Sequence, residues 1–274
     1  AWRFARALDR LGVARRGAVA VLLPNCIETL WAYRGATWSG RRYTPMSWRW
    51  TPEDAAYVAR NCEADVLVAH ARFADAARAA ARHLPPERCF AVGGAIEGFR
   101  SLADALAAES PADYEHPLAG ENMLYTSGTT GRPKGVLRAP VGDAPPPPVT
   151  CASGMAMIRA FLPEDEQTGT HLVAGPLYHA GPNTYCDGAI ALGAAGVMMD
   201  GFDPEELLAL VERHRVASTF LVPTHFVRLL RLPEEVRGRY DLSSLRLVCH
   251  GAAPVAPEVK RRMIEWWGPV LFEF

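Results

Sequence analysis

Lysine is almost missing from this chain of 274 residues: only Lys134 and Lys260 are lysine, and the other 27 of the 29 basic side chains are arginine. Charge of one sign is not in excess either. The formal net charge is −1 with 22% charged residues of mixed sign, which excludes the basic stripe of a nucleic-acid binder and the polybasic patch of an anionic-membrane binder. Cysteine is sparse and scattered: Cys26, Cys62, Cys89, Cys151, Cys186 and Cys249 form no C-x-x-C pair. That spacing argues against zinc and against a disulfide framework, and points to small core residues of a reduced, cytoplasmic protein. Long apolar runs are absent as well. The longest, from Gly188 to Met199, contains internal glycines and stops at Asp200, too short to span a bilayer, and no signal peptide is expected from the opening residues. What is present is 49% hydrophobic content, enough for a substantial core, with a small molecule as the expected partner.

Apolar runs of strand length alternate with amphipathic stretches, beginning with a strand over 18–23, a helix over 27–38, a helix over 51–61 and a strand over 66–69. The rhythm continues with a helix over 71–83, a strand over 89–92 and a helix over 102–109. Three helix starts carry their own chemistry: Thr51-Pro52-Glu53-Asp54, Ser101 with Asp104 three residues on, and Asp203-Pro204-Glu205-Glu206, each a side-chain cap with a carboxylate near the positive helix end. A polar stretch over 109–121 is the best internal boundary, so residues 1–120 and 121–274 are expected as two α/β subdomains. The second opens on a strand over 122–126, after which strands at 171–174, 196–199, 218–222 and 246–249 alternate with helices at 183–192, 204–215, 224–231 and 257–267. The fold class is therefore α/β, with open sheets and helices on both faces. Ala144-Pro145-Pro146-Pro147-Pro148 reads as a surface loop. The chain opens in helical phase at Trp2 and stops on the strand-like Leu271-Phe272-Glu273-Phe274, so both ends read as truncations.

Chemistry is concentrated in Tyr125-Thr126-Ser127-Gly128-Thr129-Thr130-Gly131-Arg132-Pro133-Lys134-Gly135, which follows a strand. Glycines let the backbone turn its N–H groups toward an anion, and the hydroxyls and the Lys134 ammonium donate to phosphate oxygens. The kinase and GTPase P-loop, G-x-x-x-x-G-K-[ST], does not fit. Pro133 stands where that pattern needs Gly, and Gly135 where it needs a hydroxyl for magnesium.

This loop closely resembles the signature of the adenylate-forming superfamily, which includes acyl-CoA synthetases, aryl-CoA ligases, luciferases and peptide-synthetase adenylation domains. Three further stretches resemble it in order and spacing: 18–26, Pro176-Leu177-Tyr178-His179 and Gly251-Ala252-Ala253-Pro254. The resemblance implies the large N-terminal domain of the acyl-CoA synthetase/luciferase type, incomplete, with the small lid domain absent. It implies attack of a carboxylate on the α-phosphorus of ATP, giving acyl-AMP and pyrophosphate, then displacement of AMP by the CoA thiol: an acid–thiol ligase. Carried over residue by residue, Thr126, Ser127, Gly128, Thr129, Thr130, Gly131 and Lys134 would hold the β- and γ-phosphates. His179 would sit beside the acyl carboxylate, Tyr178 would shape the pocket, and Gly251, Ala252, Ala253 and Pro254 would border adenine and the acyl channel. The magnesium-binding glutamate, the ribose-binding acid and the lid lysine of the family would fall beyond Phe274, so the chain alone is expected to be inactive.

Ala180-Gly181-Pro182-Asn183 after His179 supplies no carboxylate for a substrate ammonium. An unsubstituted acid is expected, and the small Ala180 and Gly181 suggest room for a fatty or similarly hydrophobic chain. Aryl acids, a different acceptor, and a non-catalytic nucleotide-binding module are the alternatives. Two histidines invite chemistry and are set aside: His225, expected to cap or pack, and His250, which cannot form a dyad with Cys249 because strand neighbours face opposite ways.

Overall fold

Val19 and Val21 turn to one side of a buried strand and Ala20 and Leu22 to the other, the period of two that leaves a parallel sheet apolar on both faces. The computed structural model describes residues 1–126, 131–137 and 144–274. It divides the chain into two units, Ala1–Val149 and Thr150–Phe274.

The first unit runs α1 (Trp2–Arg10), β1 (Ala18–Leu22), α2 (Ile27–Thr37), β2 (Arg42–Pro45), α3 (Pro52–Asn61), β3 (Ala64–His70), α4 (Ala74–Ala81), β4 (Cys89–Val92), β5 (Arg100–Ser101), α5 (Leu102–Ala107), β6 (Glu121–Thr126) and β7 (Lys134–Leu137). Its sheet has the order β5-β4-β3-β1-β2-β6-β7, parallel except for the antiparallel pair β6 and β7. Helices α1, α2 and α5 cover one face through Phe4, Leu8, Tyr33 and Leu102. Helices α3 and α4 cover the other through Val58, Ala59, Ala77 and Ala80.

The second unit carries α6 (Val149–Phe161), β8 (Thr170–Val173), α7 (Ala180–Ala191), β9 (Gly196–Met198), α8 (Pro204–His214), β10 (Val216–Leu221), α9 (Pro223–Leu230), α10 (Glu234–Arg237), β11 (Leu247–His250), α11 (Pro257–Trp267) and β12 (Leu271–Glu273). Its five strands are all parallel, in the order β12-β11-β10-β8-β9. Ile158, Leu162, Tyr185 and Ala189 bring α6 and α7 onto one face. Leu207, Phe226 and Met263 bring α8, α9 and α11 onto the other. Helices on both faces of two open sheets are what the βα rhythm predicts.

The three caps form as expected: Thr51 Oγ1 accepts from Asp54 N–H at 3.1 Å, Ser101 Oγ from Asp104 N–H at 3.2 Å, and Asp203 Oδ1 from Glu205 and Glu206 N–H at 3.0 and 2.9 Å. Other local readings shift. The helix expected over 71–83 begins as a short 3-10 turn, Ala71–Phe73, because His70 Nδ1 accepts the Arg72 N–H at 3.1 Å. The strand expected to open the second half, β6, instead extends the first sheet by pairing with β2, and the division of the chain falls between Val149 and Thr150. Among the described residues no helix is long and apolar enough to cross a membrane.

Candidate functional site

Ser127, Gly128, Thr129 and Thr130 lie outside the described residues. The flanks of the loop they belong to are a β-hairpin in which Thr126 is opposite Lys134 and Tyr125 opposite Gly135. Both donors, Thr126 and Lys134, are exposed. An exposed ammonium opposite a hydroxyl in the ladder suits phosphate oxygens. Gly131 holds φ +86° with nothing within 4 Å of where a Cβ would stand; here the conformation, not crowding, calls for glycine. Gly135 is the opposite case, since a Cβ there would lie 3.0 Å from Tyr125 Cζ.

In the second unit the predicted residues gather at the carboxyl ends of the parallel strands. Pro176–His179 follows β8, Val222–His225 follows β10 and Gly251–Pro254 follows β11, and that edge is where open α/β sheets bind ligands. Pro176, Leu177, Tyr178 and His179 make a turn closed by His179 N–H donating to Pro176 O at 3.0 Å. His179 is the exposed N-cap of α7, with its ring 4.4 Å from the half-buried ring of Tyr178. Across the edge, Ala252 stands at φ +68°, a left-handed backbone that an alanine adopts only at a cost of order 1 kcal/mol. Ala252, Ala253 and Pro254 are exposed and Gly251 is buried.

A ring cluster links these segments. Phe220 of β10 stacks on Tyr185 of α7 at 5.2 Å, and both lie 6.0 Å from Phe274. Phe274 in turn sits against Gly251, where a Cβ would be 3.1 Å from its Cζ. Gly181 is small for the same reason: a Cβ there would be 2.5 Å from Phe220 Cζ. This corrects the expectation that Gly181 leaves room for a long acyl chain, because the volume is filled by a side chain of β10. Sequence inspection could not pair Gly181 with Phe220, which is distant along the chain.

The histidines set aside behave as packed residues. His225 Nδ1 accepts the Val222 N–H at 3.4 Å, and its ring stacks on Phe202 at 3.9 Å; burial, helped by Arg228, pushes its pKa down to about 4. His250 packs edge-on to Phe226 at 5.2 Å while Cys249 belongs to the cluster with Tyr185 and Phe220 on the opposite face, so no thiol–imidazole pair forms. His171 is fully buried on β8, shares a 2.9 Å hydrogen bond with Ser218 Oγ, and is pushed down to about 4 by burial.

Among the described residues no three His, Cys, Asp or Glu side chains converge as metal ligands. Two cavities of about 300 and 410 Å³ in the first unit lie around α5 and contain none of the predicted residues.

The profile of a family described as AMP-binding enzyme matches residues 1–273. Among curated relatives, 4-coumarate–CoA ligase 5 of Oryza sativa subsp. japonica is 31% identical, over 94% of this chain and 47% of its own length. The medium/long-chain-fatty-acid–CoA ligase FadD8 of Mycobacterium tuberculosis is 27% identical, over 99% and 48%. The chain spans about half the length of the curated relatives it matches. Among solved structures, the anthranilate CoA ligase AuaEII in complex with anthranoyl-AMP superposes with a TM-score of 0.82 at 22% identity, covering 98% of this chain and 52% of that one. The inhibitor-bound N-terminal domain of FACL13 from Mycobacterium tuberculosis gives 0.75 at 23%, covering 99% and 65%. At those identities the superpositions speak for the fold.

Proposed function

Because the chain belongs to the AMP-binding enzyme family, we propose that it serves the ATP-dependent activation of a hydrophobic carboxylic acid to acyl-AMP, followed by thioester formation with CoA. The observation that carries this is the gathering of Tyr178-His179 and Gly251-Ala252-Ala253-Pro254 at the carboxyl edge of one parallel sheet. A nucleotide and an acid need a shared edge to meet.

The physical obstacle to adenylation is bringing a carboxylate to a polyphosphate, two anions. The loop donors Thr126, Ser127, Gly128, Thr129, Thr130, Gly131 and Lys134 would neutralise and hold the β- and γ-phosphates, which become the pyrophosphate leaving group. His179 would donate to the acid's carboxylate, with Tyr178 orienting its ring. Exposed Ala252, Ala253 and Pro254 would border adenine. Magnesium and CoA complete the substrate set in the family the loop resembles.

The acid is inferred to carry no ammonium, since Ala180-Gly181-Pro182-Asn183 offers no carboxylate for one. A fatty acid remains the first expectation. An aryl acid is the second reading, favoured by the rings of Tyr185, Phe220 and Phe274 beside Gly251, which offer flat surfaces to a flat substrate.

The test is exchange of labelled pyrophosphate into ATP by the full-length protein over a panel of fatty, aryl and amino acids. Exchange that depends on a hydrophobic acid supports the proposal. Transfer of γ-phosphate to the acid overturns it in favour of a phosphotransferase, and ATP binding without exchange for any acid overturns it in favour of a non-catalytic module. A charged donor to phosphate contributes about 1.5–3 kcal/mol, so Lys134→Ala should weaken ATP by about 10- to 100-fold.

A further inference from the structure

We propose that Tyr57 and Asn61 of α3 are positioning residues that hold the phosphate donors Thr126 and Lys134 in place, an inference that rests on the polyphosphate role given to those donors above. Tyr57 and Asn61 are four residues apart on one helix and therefore share a face. That face meets the hairpin twice. On the outgoing strand, Tyr125 Oη donates to Asn61 Oδ1 at 2.6 Å. On the returning limb, the Arg132 guanidinium lies over the Tyr57 ring at 5.4 Å.

Each contact sits next to a donor. Tyr125 immediately precedes Thr126, and Arg132 precedes Lys134 by two residues, with the buried Pro133 between them. The rest of the Tyr125 environment holds the ring still. Trp50 packs edge-on at 6.0 Å and 82°, and Gly135, opposite in the ladder, leaves the space that the ring shares with the Met123 side chain. Burial raises the Tyr125 pKa, so the phenol stays protonated and remains a donor. Thr126 and Lys134 themselves are exposed, as is every residue of β7; their placement then depends on how the hairpin is tied at its base. A loop tied at both limbs loses less conformational freedom when it closes on a ligand, which is the general route by which preorganisation raises affinity.

The experiment compares inorganic tripolyphosphate with adenosine as calorimetric ligands of the whole chain. Asn61→Ala and Tyr125→Phe should each weaken tripolyphosphate about 5-fold, the range of one neutral hydrogen bond. The double variant should be no weaker than either single, because both remove the same bond. Tyr57→Ala should weaken tripolyphosphate about 3-fold and Tyr57→Phe should restore it, since the ring face and not the hydroxyl supports Arg132. Adenosine should bind all variants as it binds the wild type. Unchanged tripolyphosphate affinity in the variants, additive losses in the double variant, or an equal loss of adenosine overturns the positioning role while leaving the polyphosphate site standing. Wild-type protein that ignores tripolyphosphate overturns both.

Discussion

Replacing Gly188 by Ala sets two elementary expectations against each other. In a helix interior Ala is better than Gly by about 1 kcal/mol, and a buried methyl adds about 0.8 kcal/mol of transfer free energy, so sequence logic alone predicts about 2 kcal/mol of stabilisation. The structure predicts the opposite sign. At Gly188 helix α7 meets α6 backbone to backbone, and a Cβ there would stand 2.5 Å from Gly154 C and 2.6 Å from Met155 N. Gly154 is the reciprocal position, where a Cβ would run into the Thr184 carbonyl oxygen. No rotamer relieves a clash with backbone, so the helices must part by roughly 1 Å. Overpacking of this kind costs about 1–3 kcal/mol where side chains can adjust, and a gap of that size forfeits a quarter to a half of each dispersion contact along the interface. Taking the upper end for a rigid neighbour, with about 1 kcal/mol of lost dispersion, and subtracting the gains leaves a net loss of about 2 kcal/mol. Hydrogen exchange followed by mass spectrometry on peptides from α6 and α7 reads this locally. Amide exchange should accelerate about 30-fold there, with peptides of the first unit unaffected. Unchanged or slower exchange in α6 and α7 would show that the helices do not touch through their backbones and that Gly188 is ordinary helix surface.

Acid should loosen the second unit before the carboxylates titrate. His171 and His225 are held neutral, with pKa values near 4 against the ordinary 6.5; between those values the unfolded chain binds protons that the fold does not, so stability is complete above pH 6.5 and falls as pH drops toward 4, by up to about 3 kcal/mol per imidazole. His171→Asn should flatten part of that slope in urea titrations at pH 7 and 5, and an unchanged slope would refute the assignment. Asp203→Ala removes the acceptor of two N–H groups and should cost about 1 kcal/mol, seen as faster exchange in the first turn of α8; Asp203→Asn should keep most of the protection.

Where structure was decided within a few residues, it was legible in advance. Thr51, Ser101 and Asp203 cap the helices they precede because an N-cap needs only its own hydroxyl or carboxylate and the next N–H groups. Helix α11 begins at Pro257 and ends at Trp267, where its first-turn proline and the following Gly268 place it. What was not legible depends on partners distant along the chain. Strand β7 is an exposed run with glycine in it and becomes a strand only because β6 pairs with it. Helix α6 carries Gly154 and Ser153 in its middle, poor helix formers, and is held by packing of Ile158 and Leu162 against α7 and the sheet. The assignment of β6 to the second half failed for the same reason, since its register with Arg42 and Tyr43 is not a local property.

Small residues in the candidate site carry the most instructive difference between sequence and structure. Glycine beside a catalytic-looking segment reads as space for a ligand, yet here three such glycines give their space to rings of the same chain. Tyr125 lies across Gly135, Phe220 across Gly181, and Phe274 across Gly251. Each ring is also tied elsewhere: Tyr125 to Asn61, Phe220 to Tyr185, Phe274 to both Phe220 and Tyr185. Each of these glycines lets an aromatic side chain of its own unit approach the backbone. The same reasoning separates Gly131 from the others. Its Cβ position is open and its φ is positive, so among the glycines flanking the described donors it alone is required by the turn itself.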